Sequence, residues 1–193
     1  MSYELQVYAL SPTSPPVAHL LAQASESGLR LEVIEAREAE GPWDDLKLRP
    51  AESGALGFSL AVSTELAAMK ERFREDLEAG EQVPEQVLEA ERLYLLELDD
   101  DADEASQAAF VVAAWSLATL TEAVVFDPQE EFFADADSFW ALLNDDEFAR
   151  DVFACGEETE AGDESDDQEE AADGEPTLPQ GKEQDRRRRD GAD

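Results

Sequence analysis

Residues Glu4–Leu10 alternate between hydrophobic and polar side chains, which is the pattern of a half-buried β-strand. The hydrophobic positions of this strand are Leu5, Val7 and Ala9. A helix is predicted next, because apolar residues then repeat at the spacing of one helix face. These residues are Val17, Leu20, Leu21 and Ala24. We expect Ser14 to be the N-cap of this helix, Pro15 its first residue and Gly28 its C-terminal stop.

Alternation returns between Leu29 and Ala36, so the chain opens with a strand–helix–strand unit. Residues 38–54 then contain two glycines and two prolines among charged side chains, which predicts a loop. Within this loop, Trp43 and Leu46 are expected to pack onto the domain.

Two further strands are predicted on either side of a second helix. The third strand carries Phe58, Leu60 and Val62. The fourth, Leu93–Leu98, is apolar on nearly both faces, so we expect it at the centre of the sheet. The stripe of the helix between them comprises Leu66, Met69, Phe73 and Leu77. Ser63 or Thr64 can cap this helix, and a short helix is expected around Glu85–Ala90.

A third long helix is predicted over residues 103–121. Its segment Ala105–Leu120 carries no charged side chain, and its large apolar residues point around the whole helix cylinder. Such a helix is either buried or hides one face under a partner. Asp103 and Glu104 stand at its N-terminus, where negative charge is favoured.

The predicted domain ends with a strand at Val124–Phe126 and a short helix at Asp137–Leu143. The pattern therefore predicts an α+β domain over residues 1–153, with a small sheet of about five strands and two main helices. Residues 154–193 are predicted to be a disordered acidic tail. Positions 156–175 hold 11 acidic residues, no basic one and no large apolar one, so they cannot bury enough surface to offset the entropy of ordering.

Charge narrows the partners that this chain can have. Its 49 acidic and 14 basic residues give a formal charge of −35, and residues 1–155 alone carry −25. Such a charge repels phosphate and anionic lipid, so we expect neither nucleic acid nor a membrane as a partner. It suits a basic protein or divalent cations, and it also serves plain solubility or adaptation to high salt.

Cysteine content and the N-terminus favour a cytoplasmic protein. Cys155 is the only cysteine, so an intramolecular disulfide is excluded and an oxidising compartment gains no support. Residues 1–4 lack the basic start and apolar run of a signal peptide. The sequence also has no apolar stretch of the about 18 residues that a membrane span needs.

The acidic run Asp99–Glu104 is the best candidate for a metal site. It begins with the Asp-x-Asp-x-Asp spacing of a calcium loop. The sixth position, where such loops have Gly, is Glu104, and the twelfth, where they have Glu, is Phe110. We therefore expect a solvated turn that favours the start of the next helix, and no bound metal or cofactor.

No combination of residues predicts a catalytic site. His19, the only histidine, is expected on the solvent side of its helix with no nucleophile beside it. Cys155 precedes an acidic run, whose field disfavours the reactive thiolate. A group of carboxylates comprises Asp127, Glu130, Glu131, Asp135 and Asp137. Acid–base catalysis by such a group needs an apolar pocket that separates the pKa values of its members, and the sequence does not indicate one.

A basic cluster, Arg186–Arg189, interrupts the acidic tail. Clusters of this kind bind nucleic acid or act as targeting signals in other proteins. Residues 156–193 contain 15 acidic residues against 5 basic ones, so we expect the cluster to pair transiently with the acidic run instead.

The segment Ala113–Gln129, AAWSLATLTEAVVFDPQ, resembles the end of a bacterial α+β domain type in which an apolar helix leads into a short strand ending Asp-Pro-Gln. The families that contain this domain are uncharacterised, and some are encoded near toxin systems as suspected immunity proteins. The resemblance covers these 17 residues and the broad order of strands and helices. It departs at Glu122-Ala123, where those families tend to have Gly-Gly. It implies a ferredoxin-like fold with two βαβ units, and it carries over no catalytic residue.

Three functions are compatible with these observations. The first is a non-catalytic protein that binds a basic protein partner through its anionic surface, with toxin neutralisation as one form. The second is an enzyme or metal-responsive regulator built on clustered carboxylates. The third is a structural or solubility role without a specific partner. The sequence favours the first.

Overall fold

The structure is a computed structural model that describes residues 2–36, 43–51 and 57–144. Within these residues the fold is α+β, as predicted, with seven strands and five helices. The strands are β1 (Tyr3–Ala9), β2 (Leu31–Ala36), β3 (Asp45–Pro50), β4 (Phe58–Ser63), β5 (Arg92–Leu98), β6 (Val124–Asp127) and β7 (Phe132–Asp135). The helices are α1 (Val17–Glu26), α2 (Leu66–Ala79), α3 (Glu85–Glu89), α4 (Glu104–Thr121) and α5 (Ala136–Leu143).

All seven strands form one antiparallel sheet in the order β2-β3-β4-β5-β1-β6-β7. β5 is the middle strand, which confirms the prediction from its apolar side chains on both faces. It pairs with β1 over the full length of both strands, from Tyr3 opposite Leu98 to Ala9 opposite Arg92. The N-terminal strand therefore lies inside the sheet rather than at its edge.

The prediction of about five strands is wrong, because the sheet contains β3 and β7 as well. β3 lies within the segment that was predicted to be a loop. Leu46 and Leu48 are buried on one of its faces, and Pro50 is compatible with the strand because it is the last residue. β7 has only four residues and pairs with β6. Its brevity is the reason that its pattern did not predict a strand.

Three helices, α1, α4 and α5, cover one face of the sheet. α4 packs against both of the other two and against four strands, so it lies at the centre of the larger hydrophobic core. Eleven of its 18 residues are buried, including Phe110 at 0% exposure. Of the two alternatives for this apolar helix, burial within the domain is therefore correct. No helix in the described part of the chain is long and apolar enough to cross a membrane.

The opposite face of the sheet is covered only in part, by α2 and α3. Its smaller core comprises Tyr8, Phe73, Val87, Ala90, Leu93, Val124 and Phe126. Phe73 is the one buried residue of the 14-residue helix α2. The remaining stripe positions of this helix are half-buried or exposed. α2 is therefore attached to the sheet mainly through a single aromatic side chain.

The predicted helix ends are confirmed in some places and wrong in others. Asp103 caps α4, since its carboxylate accepts a hydrogen bond from the Ser106 amide at 2.8 Å. Gly28 follows the C-cap of α1 with a φ of 89°, a backbone conformation that glycine adopts without strain. Ser14 is not a cap. α1 begins three residues later, and the Ser14 hydroxyl donates to the Trp43 carbonyl at 2.9 Å.

The second predicted cap is also wrong. α2 begins at Leu66 without a side-chain cap, and the Ser63 hydroxyl accepts a hydrogen bond from the Glu65 amide at 3.1 Å instead. The predicted tail, residues 154–193, and the apolar residues Phe148, Val152 and Phe153 lie outside the described residues.

Candidate partner-binding site

The acidic run Asp99–Glu104 forms the turn between β5 and the start of α4. Within the run, Asp103 caps α4, and the hydrogen bonds from Ser106 hold the pKa of Asp103 below its ordinary value. Across residues 2–36, 43–51 and 57–144, no three His, Cys, Asp or Glu side chains are arranged to hold a metal ion. Asp103 and Glu104 place negative charge at the start of α4, where the helix dipole favours it.

The predicted group of five carboxylates is spread over the end of β6, the turn after it, the end of β7 and the start of α5. Asp127 is buried at the end of β6, where it accepts hydrogen bonds from the Tyr3 hydroxyl and from the Gln129 amide, the latter at 2.8 Å. Glu130 and Glu131 are exposed in the next turn. Asp135 caps α5 by accepting from the Ser138 amide at 2.8 Å.

Of the remaining predicted candidates, His19 lies within the described residues. His19 is exposed on α1, as the helix pattern predicts. Cys155 and Arg186–Arg189 lie outside the described residues. The negative charge counted from the sequence, in contrast, lies on the surface of the described residues.

Negative charge dominates the surface of the described residues. They include 27 acidic and 7 basic side chains, a formal charge of −20. Asp127 is the single carboxylate among them that is buried. Several of the basic groups are already paired, since Arg49 contacts Glu32 and Arg74 contacts Glu71. Most of the negative charge is thus exposed and uncompensated.

One polar surface extends across the sheet from β2 to β1. Its centre is a row of residues that face one another across five neighbouring strands: Glu35, Lys47, Ser59, Glu97 and Glu4. A depression of about 440 Å³ at the β2 end of this row is lined by Glu35, Asp45, Lys47 and Ser59. These walls carry charges of both signs and present no large apolar side chain to a ligand.

A groove with both apolar and polar walls lies between the C-terminal half of α2, the segment after it and the hairpin formed by β6 and β7. We call it the phenylalanine groove, and its apolar walls are Phe73, Leu77, Val83, Pro84, Phe126 and Phe133. Two adjoining hollows of about 390 and 620 Å³ make up the groove, and both are lined by Val83 and Phe133. The groove is open to solvent along its length, which gives a segment of another protein access to it.

Three aromatic rings form the floor of the phenylalanine groove. Phe126 and Phe133 stack with ring centroids 4.5 Å apart, and Phe73 meets them edge-on at 5.5 and 5.4 Å respectively. Phe73 and Phe126 are themselves buried, at 3% and 8% exposure, so Phe133 is the ring of the three that presents partly exposed surface to a ligand. At the mouth of the groove, Leu77 has 47% of its surface exposed.

Acidic side chains stand along the rim of the phenylalanine groove. They are Asp76, Glu81 and Glu131, and Arg72 is the one basic residue that lines it. Glu131 has a φ of 53°, a left-handed backbone conformation that is uncommon for a residue with a side chain. The groove thus combines an apolar floor with a rim of net negative charge.

The sequence pattern identified the parts of the phenylalanine groove but not the groove itself. Leu77 was the last position of a predicted helix stripe, and Phe133 belonged to a segment with no predicted structure. These two residues are far apart in the chain and line the same hollow because α2 lies over the β6–β7 end of the sheet, where Phe73 contacts Phe126 and Phe133. The available signal in the sequence was the apolar character of Leu77 and Phe133, and it becomes informative only with the tertiary structure, in which Leu77 is exposed and Phe133 is half-buried.

Comparisons with known proteins add no further constraint. No protein-family model, curated protein or solved structure matches this chain.

Proposed function

We propose that this protein is a non-catalytic binding protein that holds a basic protein partner on its anionic surface. The observation that carries the proposal is the formal charge of −20 on the described residues, with all but one of 27 carboxylates at least partly exposed. A basic partner would be attracted over several ångströms and would neutralise this charge on binding. Neutralisation of a basic toxin, which the resemblance of Ala113–Gln129 implies, is one form of this role.

The energetic reason for a basic partner lies in the isolated domain. Like charges at this density repel one another and destabilise the compact state, and salt screens the repulsion. A partner with positive charge removes the same repulsion. Complementary charge also raises the association rate and disfavours partners of the wrong sign.

We also infer that the core of the domain is ferredoxin-like, with the hairpin of β2 and β3 and the strand β7 as additions. The inference is supported by the neighbouring strands β4-β5-β1-β6, in which β5 and β6 flank β1. The helices α1 and α4, which follow β1 and β5 in the chain, pack against each other on one face. Two split βαβ units interleave in this way in ferredoxin-like folds.

A pull-down at two salt concentrations tests the proposed function. The full chain is immobilised, and extracts of its own source are applied at about 0.05 M and about 0.5 M sodium chloride, which shortens the Debye length to well under 10 Å. A matched bait is an unrelated acidic protein of similar size and charge. We expect one dominant basic protein that the chain retains, that the control bait does not, and that high salt releases.

Two results would contradict the proposal. If both baits retain the same set of basic proteins, the charge acts nonspecifically and the solubility role gains support. If retention of a partner depends on calcium or magnesium and not on salt, the metal-responsive alternative gains support instead.

A further inference from the structure

We propose that the phenylalanine groove is the place where the basic partner is held, and that it takes an apolar side chain flanked by lysine or arginine residues. This inference rests on the proposed function, because it assumes that the partner is a basic protein. It adds the location of the contact and the local chemistry of the partner segment. The occupant is a segment of another protein, presented as a loop, strand or terminus.

Exposed apolar surface is the first observation behind this inference. Leu77 is 47% exposed although it belongs to the same helix face as Phe73, which is buried. A core-facing leucine normally covers itself against the sheet. Here the sheet side of Leu77 opens onto the groove instead, so a partner side chain can be buried between Leu77 and the ring of Phe133.

Charge complementarity is the second observation and selects the kind of segment. Asp76, Glu81 and Glu131 lie beside the apolar floor, and Arg72 alone opposes them. Basic residues on either side of an apolar anchor would reach these carboxylates while the anchor fills the groove. A wholly apolar segment would leave the rim carboxylates without partners, and a wholly basic one would leave the floor exposed.

Comparison with the polar sheet surface supports the choice of the groove. Two carboxylates and Lys47 line the depression near Glu35 and Ser59, a net charge of −1, whereas three carboxylates and Arg72 line the groove, a net charge of −2. The depression also has no apolar floor to bury. Binding free energy at protein interfaces comes mainly from a few well-buried anchors, and the phenylalanine groove offers the exposed Leu77 and the partly exposed ring of Phe133 as apolar surface for one.

Two labelled peptides serve as probes for the test, because the partner itself is not identified. One has the sequence Lys-Arg-Lys-Leu-Lys-Arg-Lys, and the other has Ser in place of Leu. Fluorescence anisotropy of each peptide is measured with the full chain at about 0.02 M sodium chloride, where charge interactions are weakly screened. We expect the leucine peptide to bind about three- to tenfold more tightly, since its side chain is buried in the groove.

Two glutamates provide a matched pair of charge variants. Glu131 and Glu122 both have left-handed backbones, with φ of 53° and 49°, and both are exposed, but only Glu131 lines the groove. Replacing either by Gly removes one negative charge and suits the backbone, so neither variant should lose folding. We expect Glu131→Gly to weaken binding of the leucine peptide about two- to fivefold and Glu122→Gly to have a clearly smaller effect.

The second matched pair of variants replaces two exposed apolar residues. Leu77 and Ile34 are 47% and 46% exposed, and only Leu77 lines the groove. Leu77→Gln keeps a good helix former and Ile34→Thr keeps a β-branched residue. We expect Leu77→Gln to reduce the preference for the leucine peptide over the serine peptide, whereas Ile34→Thr should preserve it. Thermal unfolding of each variant verifies that it is folded.

The outcomes separate this inference from the proposed function. If both peptides bind equally, and Glu131→Gly and Glu122→Gly weaken both to the same extent, the groove is not the site although the anionic surface still attracts basic chains. If neither peptide binds at low salt, the proposed function loses its support together with the groove. A preference for the leucine peptide that depends on Leu77 and Glu131 supports the groove.

Discussion

Glu4 and Glu97 lie directly opposite each other on the neighbouring strands β1 and β5. Side chains in such positions are about 5 Å apart at their Cβ atoms, and like charges there destabilise the sheet. Glu97 has Ser59 as its neighbour on the other side, so no basic residue on the adjacent strands offsets the repulsion. The side-chain amide of Gln6 donates a hydrogen bond to the Glu4 carboxylate at 2.7 Å. This bond stabilises the charge of Glu4 but not that of Glu97.

Replacing Glu97 by Gln should therefore stabilise the domain. We expect the free energy of unfolding to rise by about 0.3–1 kcal/mol at low salt, with a smaller rise as salt screens the pair. Urea unfolding of the full chain at two salt concentrations measures this change. Glu35→Gln is the matched control, because Glu35 lies opposite Lys47 and should lose a favourable contact. A lower stability for Glu97→Gln than for the unchanged protein would contradict the repulsion.

Phe110 and Trp115 are expected to differ in importance, although both are large apolar residues of α4. Phe110 is completely buried and meets Tyr3 and Phe58 edge-on, each at 5.8 Å, so Phe110→Ala should cost about 3–5 kcal/mol. Trp115 is half-buried and lies on Trp140 with ring centroids 4.3 Å apart. We expect Trp115→Ala to cost about 1–2 kcal/mol.

Urea unfolding of the two alanine variants measures both costs. A double-mutant cycle with Trp140→Ala separates the ring contact from the rest of the loss, and the coupling should be about 0.5–1.5 kcal/mol. Equal losses for Phe110→Ala and Trp115→Ala would show that the outer surface of α4 is covered as completely as its core side.

Much of the fold follows from periodicity because the sheet is covered differently on its two faces. β4 alternates, since one of its faces packs under the helices. β1 alternates in sequence but is buried on both faces over Leu5–Ala9, because the smaller core covers its second face. α4 is apolar all round because it has the sheet on one side and α1 and α5 on the others. In β4 and α4 the hydrophobic pattern of the sequence therefore matches the burial of the side chains.

The missed strands show where the local pattern is insufficient. β3 does alternate, with Leu46 and Leu48 buried and Lys47 exposed, but nearby glycines and prolines favoured a loop. β7 places Phe132 against one core and Phe133 against the other, so its short segment has no polar face. The phenylalanine groove is harder still to predict, because it depends on where α2 crosses the sheet.

Tyr8 and Tyr94 are expected to respond oppositely to removal of their hydroxyl groups. Both side chains are fully buried, and burial raises the pKa of each hydroxyl above its ordinary value, so both remain protonated. The Tyr8 hydroxyl donates to the Gln6 side chain at 2.6 Å, whereas the Tyr94 hydroxyl has no hydrogen-bond partner of good geometry among the described residues. An unsatisfied buried hydroxyl costs free energy.

Phenylalanine substitutions test this difference. Tyr94→Phe should leave the free energy of unfolding unchanged or raise it by up to about 1 kcal/mol, and Tyr8→Phe should lower it by about 1–2 kcal/mol. Thermal or urea unfolding of the two variants gives the comparison. A comparable loss in both would mean that a bound water or a neighbour such as Ser14 satisfies the Tyr94 hydroxyl in solution.

Asp135 should contribute to the loss of stability in acid. Hydrogen bonds from Ser138 hold its pKa below the ordinary value. The capping contribution is therefore complete above the unfolded pKa, about 3.9, and is lost as the pH falls through the lower folded value. Asp135→Asn can still cap but does not titrate, so its stability should fall less between about pH 5 and pH 3.

The control for this prediction is Asp137→Asn, which removes the same charge two residues away and leaves the capping bond in place. Both variants are compared with the unchanged protein by thermal unfolding at each pH. If Asp137→Asn flattens the acid response as much as Asp135→Asn does, general charge reduction and not the cap of α5 is responsible.

Salt should stabilise the whole protein, because its net negative charge is large and exposed. The described residues carry −20 and the full chain −35, so repulsion within the native state is substantial at low ionic strength. Raising sodium chloride from about 0.01 M to about 0.5 M shortens the Debye length from about 30 Å to well under 10 Å, which uncouples charges across a small domain. We expect the melting temperature of the full chain to rise steadily over this range.

A basic partner should raise the melting temperature at low salt by binding the native state, and this effect should disappear as salt increases. Sodium sulfate at equal ionic strength is a poor control, because sulfate also strengthens apolar burial, so the series uses chloride throughout. A melting temperature that does not change with salt would mean that the carboxylates are already compensated, and the electrostatic reason for a basic partner would no longer hold.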